Sequence, residues 1–357
     1  SMVLQRNNSS PVWGWADPDE KVTVTGSWNQ TEVSTKADKN GKWMVRLDTS
    51  DAGGPYSITI ESEDTVTIND VMLGDVWICS GQSNMHFPVA KCKKADTAIA
   101  NAGDASLRLF YVNRKSVEDP QEDCDGRWKR ASCETIKDFS AVAYFFGKEL
   151  REQLDVPVGL IEAAKGGSAI QRWIPQGHLP LKKSDIPLVK RQFHGLYNGM
   201  IAPLTRFRVQ GVIWYQGERN ANPKLAQAQE YDLLLPALIK SWRNSWKQQD
   251  MPFGFVQLPN YEFEEKPAGP VEDTLWPRLR QAQLNTLKSL SNTGMAVTID
   301  IGASGNLHPR NKSEVGMRLA LWALAKVYSR DIVYSGPIYN SIEVRDNKVI
   351  VSFQHVD

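Results

Sequence analysis

The chain has 357 residues, and its 42 lysines and arginines against 41 aspartates and glutamates give a formal net charge of +1. A chain of this length can bury a large core and is typically divided into one large and one smaller domain. The balanced charge, without a basic block, disfavours a nucleic-acid-binding protein, which usually carries an electrostatic footprint. No apolar run is long enough to cross a bilayer, and we recognise no signal peptide.

The first 73 residues are predicted to be all-β. Apolar and polar residues alternate over residues 21–25, 41–47 and 56–60, and turn sequences separate these runs. Short strands at regular spacing are typical of a small β-sandwich. We therefore expect residues 1–73 to form an accessory β-sandwich domain with a structural role.

From residue 74 onward, buried strands alternate with amphipathic helices. Strands are predicted at residues 76–79, 107–112, 157–163, 209–215, 253–258 and 295–299, and helices at 140–154, 224–246, 278–290 and 311–328. Alternating β and α units imply a parallel sheet with helices on both faces, which we assign to residues 74–330. Residues 331–357 return to a β pattern, which we expect to pack with the accessory domain and to continue beyond Asp357.

A serine follows the first of these buried strands. The apolar run at 76–79 ends in a Ser-Gly turn, and Ser83 stands just beyond it. The carboxyl end of a buried strand is where an open α/β sheet places its chemistry. Taken alone, a serine at this place is more often a helix N-cap than a nucleophile. No G-x-S-x-G elbow surrounds a candidate serine, which counts against an α/β-hydrolase.

His308 is the best candidate for the base that a serine nucleophile needs. It lies in a loop rich in glycine and asparagine after the strand at 295–299, at the same predicted edge of the sheet as Ser83. His86 is only three residues from Ser83 and is better suited to packing than to catalysis. The other histidines, which lack a recognisable partner or lie in the β tail, are His178, His194 and His355.

Four stretches of the chain resemble the conserved blocks of the SGNH hydrolases, and most closely those of the sialate O-acetylesterase family. They are, in the family's order, Gly81-Gln82-Ser83-Asn84-Met85, Gly166-Gly167-Ser168, Trp214-Tyr215-Gln216-Gly217-Glu218 and His308-Pro309. The resemblance covers nearly the whole chain. It implies a flavodoxin-like, three-layer α/β/α fold and a serine esterase that removes O-acetyl groups from sialic acids. It also implies an extracellular or periplasmic location.

The resemblance assigns catalytic roles to positions of this chain. Ser83 is the expected nucleophile and His308 its base. The expected oxyanion donors are the backbone N–H groups of Ser83 and Gly167 and the side-chain amide of Gln216. An O-acetylated sugar is the one partner that we predict, and we expect no metal, cofactor, nucleic acid, membrane or protein partner.

Three further residues are candidates for contact with the substrate. These are Arg172, Trp173 and Glu218, for which helix packing and surface charge are the competing interpretation. A guanidinium at position 172 would suit the carboxylate of a sialic acid.

The chain departs from the family pattern beside the predicted base. Many SGNH enzymes carry aspartate three residues before the histidine, and bacterial relatives often carry it two residues before; here these positions are Gly305 and Asn306. We therefore predict a Ser83–His308 dyad in which the backbone carbonyl of Asn306 orients the imidazole. The alternative is a carboxylate from elsewhere, such as Asp300 or Glu218.

Other functions remain open at this point. Within the same chemistry, the rival is deacetylation of acetyl-xylan or another polysaccharide. The missing aspartate also allows a carbohydrate-binding protein without catalysis. A phosphoesterase is disfavoured because no Asp/His metal cluster or phosphate-binding loop is evident, and the cysteine spacing fits no zinc site. Cys124 and Cys133 are the best candidates for a disulfide.

Overall fold

The computed structural model describes residues 1–180, 193–222, 228–261 and 275–355. The strands of these parts are β1 (Met2–Gln5), β2 (Ser9–Trp15), β3 (Lys21–Gly26), β4 (Glu32–Lys36), β5 (Lys42–Asp48), β6 (Gly53–Glu61), β7 (Thr65–Gly81), β8 (Asp104–Tyr111), β9 (Trp128–Ala131), β10 (Val158–Ala164), β11 (Gly211–Tyr215), β12 (Phe253–Val256), β13 (Thr293–Ala296), β14 (Ile338–Arg345) and β15 (Lys348–Gln354). The helices are α1 (Ser83–His86), α2 (Ala95–Ala100), α3 (Ala141–Leu154), α4 (Tyr231–Trp246), α5 (Leu275–Ser289) and α6 (Lys312–Lys326). The first residues of the helix predicted at 224–246 lie outside the described part of the chain.

The central sheet has the strand order β13-β12-β11-β7-β10-β8-β9. Its neighbouring strands are parallel, except for the antiparallel pair of β8 and β9 at one edge. Every residue of β10, β11 and β12 is buried, as expected for parallel strands that are covered on both faces. The predicted mixed α/β fold with a mostly parallel central sheet is confirmed.

Helices cover both faces of this sheet. The ring of Trp77 on β7 packs edge-on against Phe146 of α3 and Trp322 of α6. Trp214 on β11 is paired with Ser80, which lies three residues after Trp77 on β7. Because side chains alternate along a strand, Trp214 points to the face opposite Trp77, where it packs against Trp242 of α4. The α/β/α layering therefore follows from the alternation of side chains along neighbouring strands.

The N-terminal strands are connected to the central sheet through β7. The first half of β7 pairs with β6 and β1, and its second half pairs with β10 and β11. The predicted boundary after residue 73 thus falls within one continuous strand. A second apolar cluster, which includes Leu4, Val22, Val24 and Leu47, lies among the N-terminal strands. Strands β2 and β5 form a separate antiparallel pair beside them.

The prediction for the C-terminal β segment differs from the structure. We expected the C-terminal β segment to pack with the N-terminal strands, but the hairpin of β14 and β15 and the segment before it lie against the α/β part. The ammonium of Lys288 on α5 lies 5.1 Å from the ring centroid of Tyr339. The ammonium of Lys326 on α6 lies 4.7 Å from the ring centroid of Tyr334. Strand alternation alone does not tell which neighbour a hairpin contacts.

Cys124 and Cys133 are not joined by a disulfide, and both thiols are free. The segment between them does not fold back on itself, because residues Trp128–Ala131 extend as β9 along β8. Among the described residues, no helix has the length and apolar character that crossing a bilayer requires.

Candidate active site

Ser83 lies at the carboxyl edge of the central sheet, where β7 ends and α1 begins. The chain turns at Gly81, which has a φ of +141°, and an added Cβ there would come within 2.1 Å of the carbonyl oxygen of Tyr215. Only glycine tolerates both this conformation and this close approach. The Ser-Gly turn in the sequence therefore places the hydroxyl of Ser83 just beyond the strand.

Ser83 and His308 are brought together as predicted. The hydroxyl oxygen of Ser83 lies 2.8 Å from Nε2 of His308, although 225 residues separate the two in the chain. The imidazole of His308 is half-buried and stacks on the ring of Phe87, with 6.5 Å between the ring centroids and 26° between the planes. Burial lowers the pKa of His308, and the nearby ammonium of Lys312 lowers it further. A neutral imidazole is the form that can accept the proton of the serine.

Asn306 orients the loop of His308, but through a different atom from the one predicted. Its side-chain Oδ1 accepts a hydrogen bond of 2.9 Å from the backbone N–H of His308. The backbone carbonyl of Asn306 does not bind Nδ1 of the imidazole, and no other group in the described part of the chain is hydrogen-bonded to Nδ1. The predicted bond from Nδ1 to the carbonyl is therefore not formed, and Asn306 holds the loop through its side chain instead.

Neither alternative carboxylate binds the imidazole. Asp300 makes two hydrogen bonds of 2.6 Å to the guanidinium of Arg318, which holds the pKa of that carboxyl below its usual range. Glu218 is 5% exposed and accepts a hydrogen bond of 2.5 Å from Nδ2 of Asn84. Burial raises the pKa of the Glu218 carboxyl. Because Glu218 is buried and bound to Asn84, the residue after Ser83, it supports the structure around Ser83 and is not available to contact substrate.

The loop of Gly166 and Gly167 lies beside Ser83. A Cβ added at Gly166 would lie 3.6 Å from the Cβ of Ser83, so this loop runs directly against the serine. Gly167 has a φ of +69°, in the left-handed region, where glycine is favoured. Within the described ranges, the N–H groups of Ser83, Gly166 and Gly167 have no acceptor. They are therefore free to donate to an oxyanion.

Gln216 is fully buried, and its amide is engaged in a network of side chains. Its Nε2 lies 3.1 Å from Oε1 of Gln82, 3.2 Å from the carbonyl of Ser168 and 2.8 Å from Oδ1 of Asn220. Its Oε1 accepts a hydrogen bond of 2.9 Å from the hydroxyl of Tyr231. An amide nitrogen has two N–H donors, and three protein acceptors already surround them. The geometry does not support the predicted role of Gln216 as an oxyanion donor.

Gln82 is the side chain that the sequence interpretation missed at this point. Its Nε2 faces the hydroxyl oxygen of Ser83 at 3.5 Å, and its Oε1 is held by Gln216 and by the backbone N–H of Arg219. The buried amide of Gln216 thus fixes the orientation of the Gln82 amide that faces Ser83. The only signal in the sequence is the position of Gln82 directly before Ser83.

Arg172 and Trp173 are neighbours with different surroundings. Arg172 is half-buried and donates a hydrogen bond of 2.9 Å to Ser116, and it forms no ion pair with a carboxylate of the described residues. Burial lowers the pKa of its guanidinium. Trp173 is wholly buried, donates to Ser168 and packs edge-on against Trp214. Arg172 can therefore receive an anion, whereas Trp173 belongs to the core and is not a substrate contact.

Two polar groups beside the site were assigned little or no role from sequence. His86 lies 2.6 Å from the buried carboxylate of Glu162 on β10, a contact that ties α1 to the sheet. Lys312 is 1% exposed, and its ammonium donates to Oδ1 of Asn84 at 2.5 Å. A lysine at the first position of a helix is unfavourable for the helix dipole, and this was the available signal. No cluster of three or more metal-ligating side chains occurs in the ranges that the structure describes.

The geometry can be compared with that of known proteins. Residues 73–325 match the family model described as carbohydrate esterase, sialic acid-specific acetylesterase. The chain is 32% identical to the sialate O-acetylesterase of Homo sapiens, with 99% of this chain and 75% of that protein covered. It is 30% identical to the sialate O-acetylesterase of Mus musculus, with 96% and 75% covered. Among solved structures, a carbohydrate acetylesterase from Xanthomonas citri is 39% identical with a TM-score of 0.91, covering 99% of this chain and 79% of that one.

Proposed function

Because the chain belongs to the sialic acid-specific acetylesterase family of carbohydrate esterases, we propose that Ser83 and His308 carry out its ester hydrolysis. The protein is a carboxylic ester hydrolase, a sialate O-acetylesterase by its relatives. The observation that carries the catalytic assignment is the 2.8 Å contact between the hydroxyl of Ser83 and Nε2 of His308. We further propose an extracellular or periplasmic location, on the basis of the family resemblance alone.

The reaction proceeds by acyl transfer to the serine. His308 takes the proton of the Ser83 hydroxyl at Nε2 while Oγ attacks the carbonyl carbon of the acetyl ester. The tetrahedral intermediate collapses when the bond to the sugar oxygen breaks, and the imidazolium returns its proton to that oxygen. Water, deprotonated by His308, then attacks the acetyl-serine and releases acetate. The second step restores the hydroxyl and the neutral imidazole.

The negative oxygen of the intermediate is stabilised by the converging donors. These are the backbone N–H groups of Ser83 and Gly167, together with that of Gly166, and the side-chain amide of Gln82. One such donor typically contributes ~2.7–4 kcal/mol of transition-state stabilisation. We assign Gln216 the supporting role of holding Gln82 in position.

Arg172 is the residue that we assign to the sialic acid carboxylate. Its half-buried guanidinium has no carboxylate partner among the described residues, and a bound carboxylate would supply one. A second candidate function is deacetylation of acetyl-xylan or another polysaccharide, and the similar protein of Xanthomonas citri is described only as a carbohydrate acetylesterase. A neutral sugar would leave the charge of Arg172 unused. A binding protein without catalysis is disfavoured by the geometry of the dyad.

A substrate panel with a paired variant tests the assignment. Acetate release is measured from O-acetylated sialosides and from acetylated xylo-oligosaccharides for the wild type, for Ser83→Ala and for the control Ser62→Ala at an exposed serine. Ser83→Ala should lower kcat by at least ~10³-fold because the nucleophile is removed, and the control should match the wild type.

Circular dichroism verifies that both variants are folded. A folded Ser83→Ala protein that releases acetate at the wild-type rate would show that another residue is the nucleophile. If only the xylo-oligosaccharides are hydrolysed, the second candidate function replaces the first.

A further inference from the structure

Lys312 is a buried lysine beside the catalytic pair. It is the first residue of α6, it is 1% exposed, and its ammonium lies 5.1 Å from the ring centroids of both Phe87 and Tyr215. Removing an ammonium from water is unfavourable unless it is paired, and a cation at the start of a helix opposes the helix dipole. Neither core packing nor helix formation explains a lysine here. Its specific contacts must account for it.

The ammonium fixes the orientation of one neighbouring amide. A lysine ammonium only donates hydrogen bonds, so the atom of Asn84 that faces it at 2.5 Å is the oxygen Oδ1. The nitrogen Nδ2 must then point the other way. There it donates to the backbone carbonyl of Leu307 at 2.9 Å and to the carboxylate of Glu218. With Lys312 replaced by an apolar residue, Oδ1 of Asn84 would lose its donor, and the amide would be held only by the two acceptors of Nδ2.

The contacts of Asn84 reach the catalytic base. Leu307 directly precedes His308, so the bond from Asn84 holds the backbone that carries the imidazole. Phe87 adds a second connection, because its ring lies under the ammonium of Lys312 and stacks on the imidazole of His308. In the described part of the chain no hydrogen bond reaches Nδ1 of His308. The orientation of the imidazole therefore depends on the loop and on Phe87.

We propose that Lys312 is a positioning residue: through the side chain of Asn84 it holds the carbonyl of Leu307, and it thereby keeps the imidazole of His308 on the hydroxyl of Ser83. The proposal rests on the catalytic roles assigned above to Ser83 and His308. In this chain the buried lysine would help to position the histidine, a role that the SGNH resemblance assigns to an aspartate absent here at positions 305 and 306.

The charged and titratable groups that face Lys312 are Glu218, His308 and the phenol of Tyr215. Burial lowers the pKa of Lys312, and the carboxylate of Glu218 opposes this shift. Burial raises the pKa of Tyr215 well above its usual value, so the phenol stays neutral. Removal of the ammonium takes away the positive charge that lowers the pKa of the imidazole, which favours the protonated form of His308.

The test compares Lys312→Met, which keeps the length of the side chain without its donors, with Lys326→Met at an exposed position of the same helix. Lys312→Met should lower kcat by roughly 10- to 100-fold with little change in KM, since a small misplacement of a catalytic group costs up to about 10²-fold. The acid limb of kcat/KM should move to higher pH. The control should behave as the wild type.

A double-variant cycle asks whether Lys312 acts through Asn84. If it does, Lys312→Met combined with Asn84→Ala should be no slower than Asn84→Ala alone. Multiplied losses in the double variant would overturn the proposal, as would a folded Lys312→Met protein with the kcat and pH profile of the wild type. If Lys312→Met does not fold, Asn84→Ala breaks the same connection from its other end, and wild-type kcat in that variant refutes the proposal.

Two substrates separate this idea from the proposed function. 4-Nitrophenyl acetate reports on the dyad whatever the natural sugar is, and an O-acetylated sialoside reports on both. If Ser83→Ala hydrolyses 4-nitrophenyl acetate as the wild type does, the catalytic assignment fails. If Ser83→Ala is inactive and Lys312→Met is fully active on both esters, only the positioning role fails.

Discussion

The side chain of Asn306 should contribute measurably to catalysis through a single hydrogen bond. Its Oδ1 accepts from the backbone N–H of His308 at 2.9 Å in an otherwise exposed loop. A neutral hydrogen bond of this kind contributes about 0.5–1.5 kcal/mol. If the bond holds the loop in its reactive shape, Asn306→Ala should raise the barrier by a similar amount. This corresponds to a loss of roughly 2- to 13-fold in kcat, because 1.36 kcal/mol is a factor of ten.

Asn306→Asp separates the hydrogen bond from the amide group. Aspartate keeps an acceptor at the same place, so the loop should keep its shape and the alanine defect should not appear. The added negative charge near the imidazole should raise the pKa of His308, so the acid limb of kcat/KM should move to higher pH. Asn101→Ala is the matched control, since Asn101 is also exposed and makes one side-chain hydrogen bond to the backbone, far from the site in the sequence.

The assay is steady-state hydrolysis of 4-nitrophenyl acetate over a range of pH, with kcat and KM determined separately. The reasoning is refuted if Asn306→Asp loses as much activity as Asn306→Ala at every pH, because the acceptor would then be irrelevant. It is equally refuted if Asn306→Ala retains the kcat of the wild type.

Three further outcomes follow from the same geometry. Gln216→Ala should lower the free energy of unfolding by about 1–3 kcal/mol, because buried partners such as Tyr231 lose their hydrogen bonds. The melting temperature should fall together with kcat. A large loss of kcat at an unchanged melting temperature would restore Gln216 as an oxyanion donor. The acid limb of kcat/KM for the wild type should lie below pH 6.5, the ordinary pKa of histidine, because a lowered pKa keeps the His308 base neutral to lower pH; a midpoint above 6.5 would contradict this. Arg172→Met should raise KM for O-acetylated sialosides by at least ~10-fold, as expected for a lost charge-assisted hydrogen bond of about 1.5–3 kcal/mol, and should leave acetylated neutral sugars unchanged. Equal effects on both substrate classes would remove the carboxylate role.

Much of the fold and the contact between Ser83 and His308 could be predicted from the sequence. Buried runs that alternate with amphipathic helices predict a parallel sheet, and parallel strands end at one edge. Ser83 follows the strand that ends at Gly81, and His308 lies in the loop after the strand of residues 293–296, so both were expected at that edge. This inference needs only the order of the elements, which local periodicity records.

The atoms that orient and support those residues were decided only by the tertiary structure. Gln216, Trp173 and Glu218 looked available for substrate or oxyanion, yet each is buried. Gln216 and Glu218 are bonded to groups distant in the chain, and Trp173 packs against Trp214. Periodicity reports that a side chain is buried, but its partner depends on which strands and loops come within hydrogen-bond distance. The hydrogen bond from Lys312 to Asn84 joins residues 228 positions apart. It forms only because the fold brings the start of α6 next to the residue that follows Ser83. A buried ammonium is stable only with such a partner, and no local pattern in the sequence identifies one.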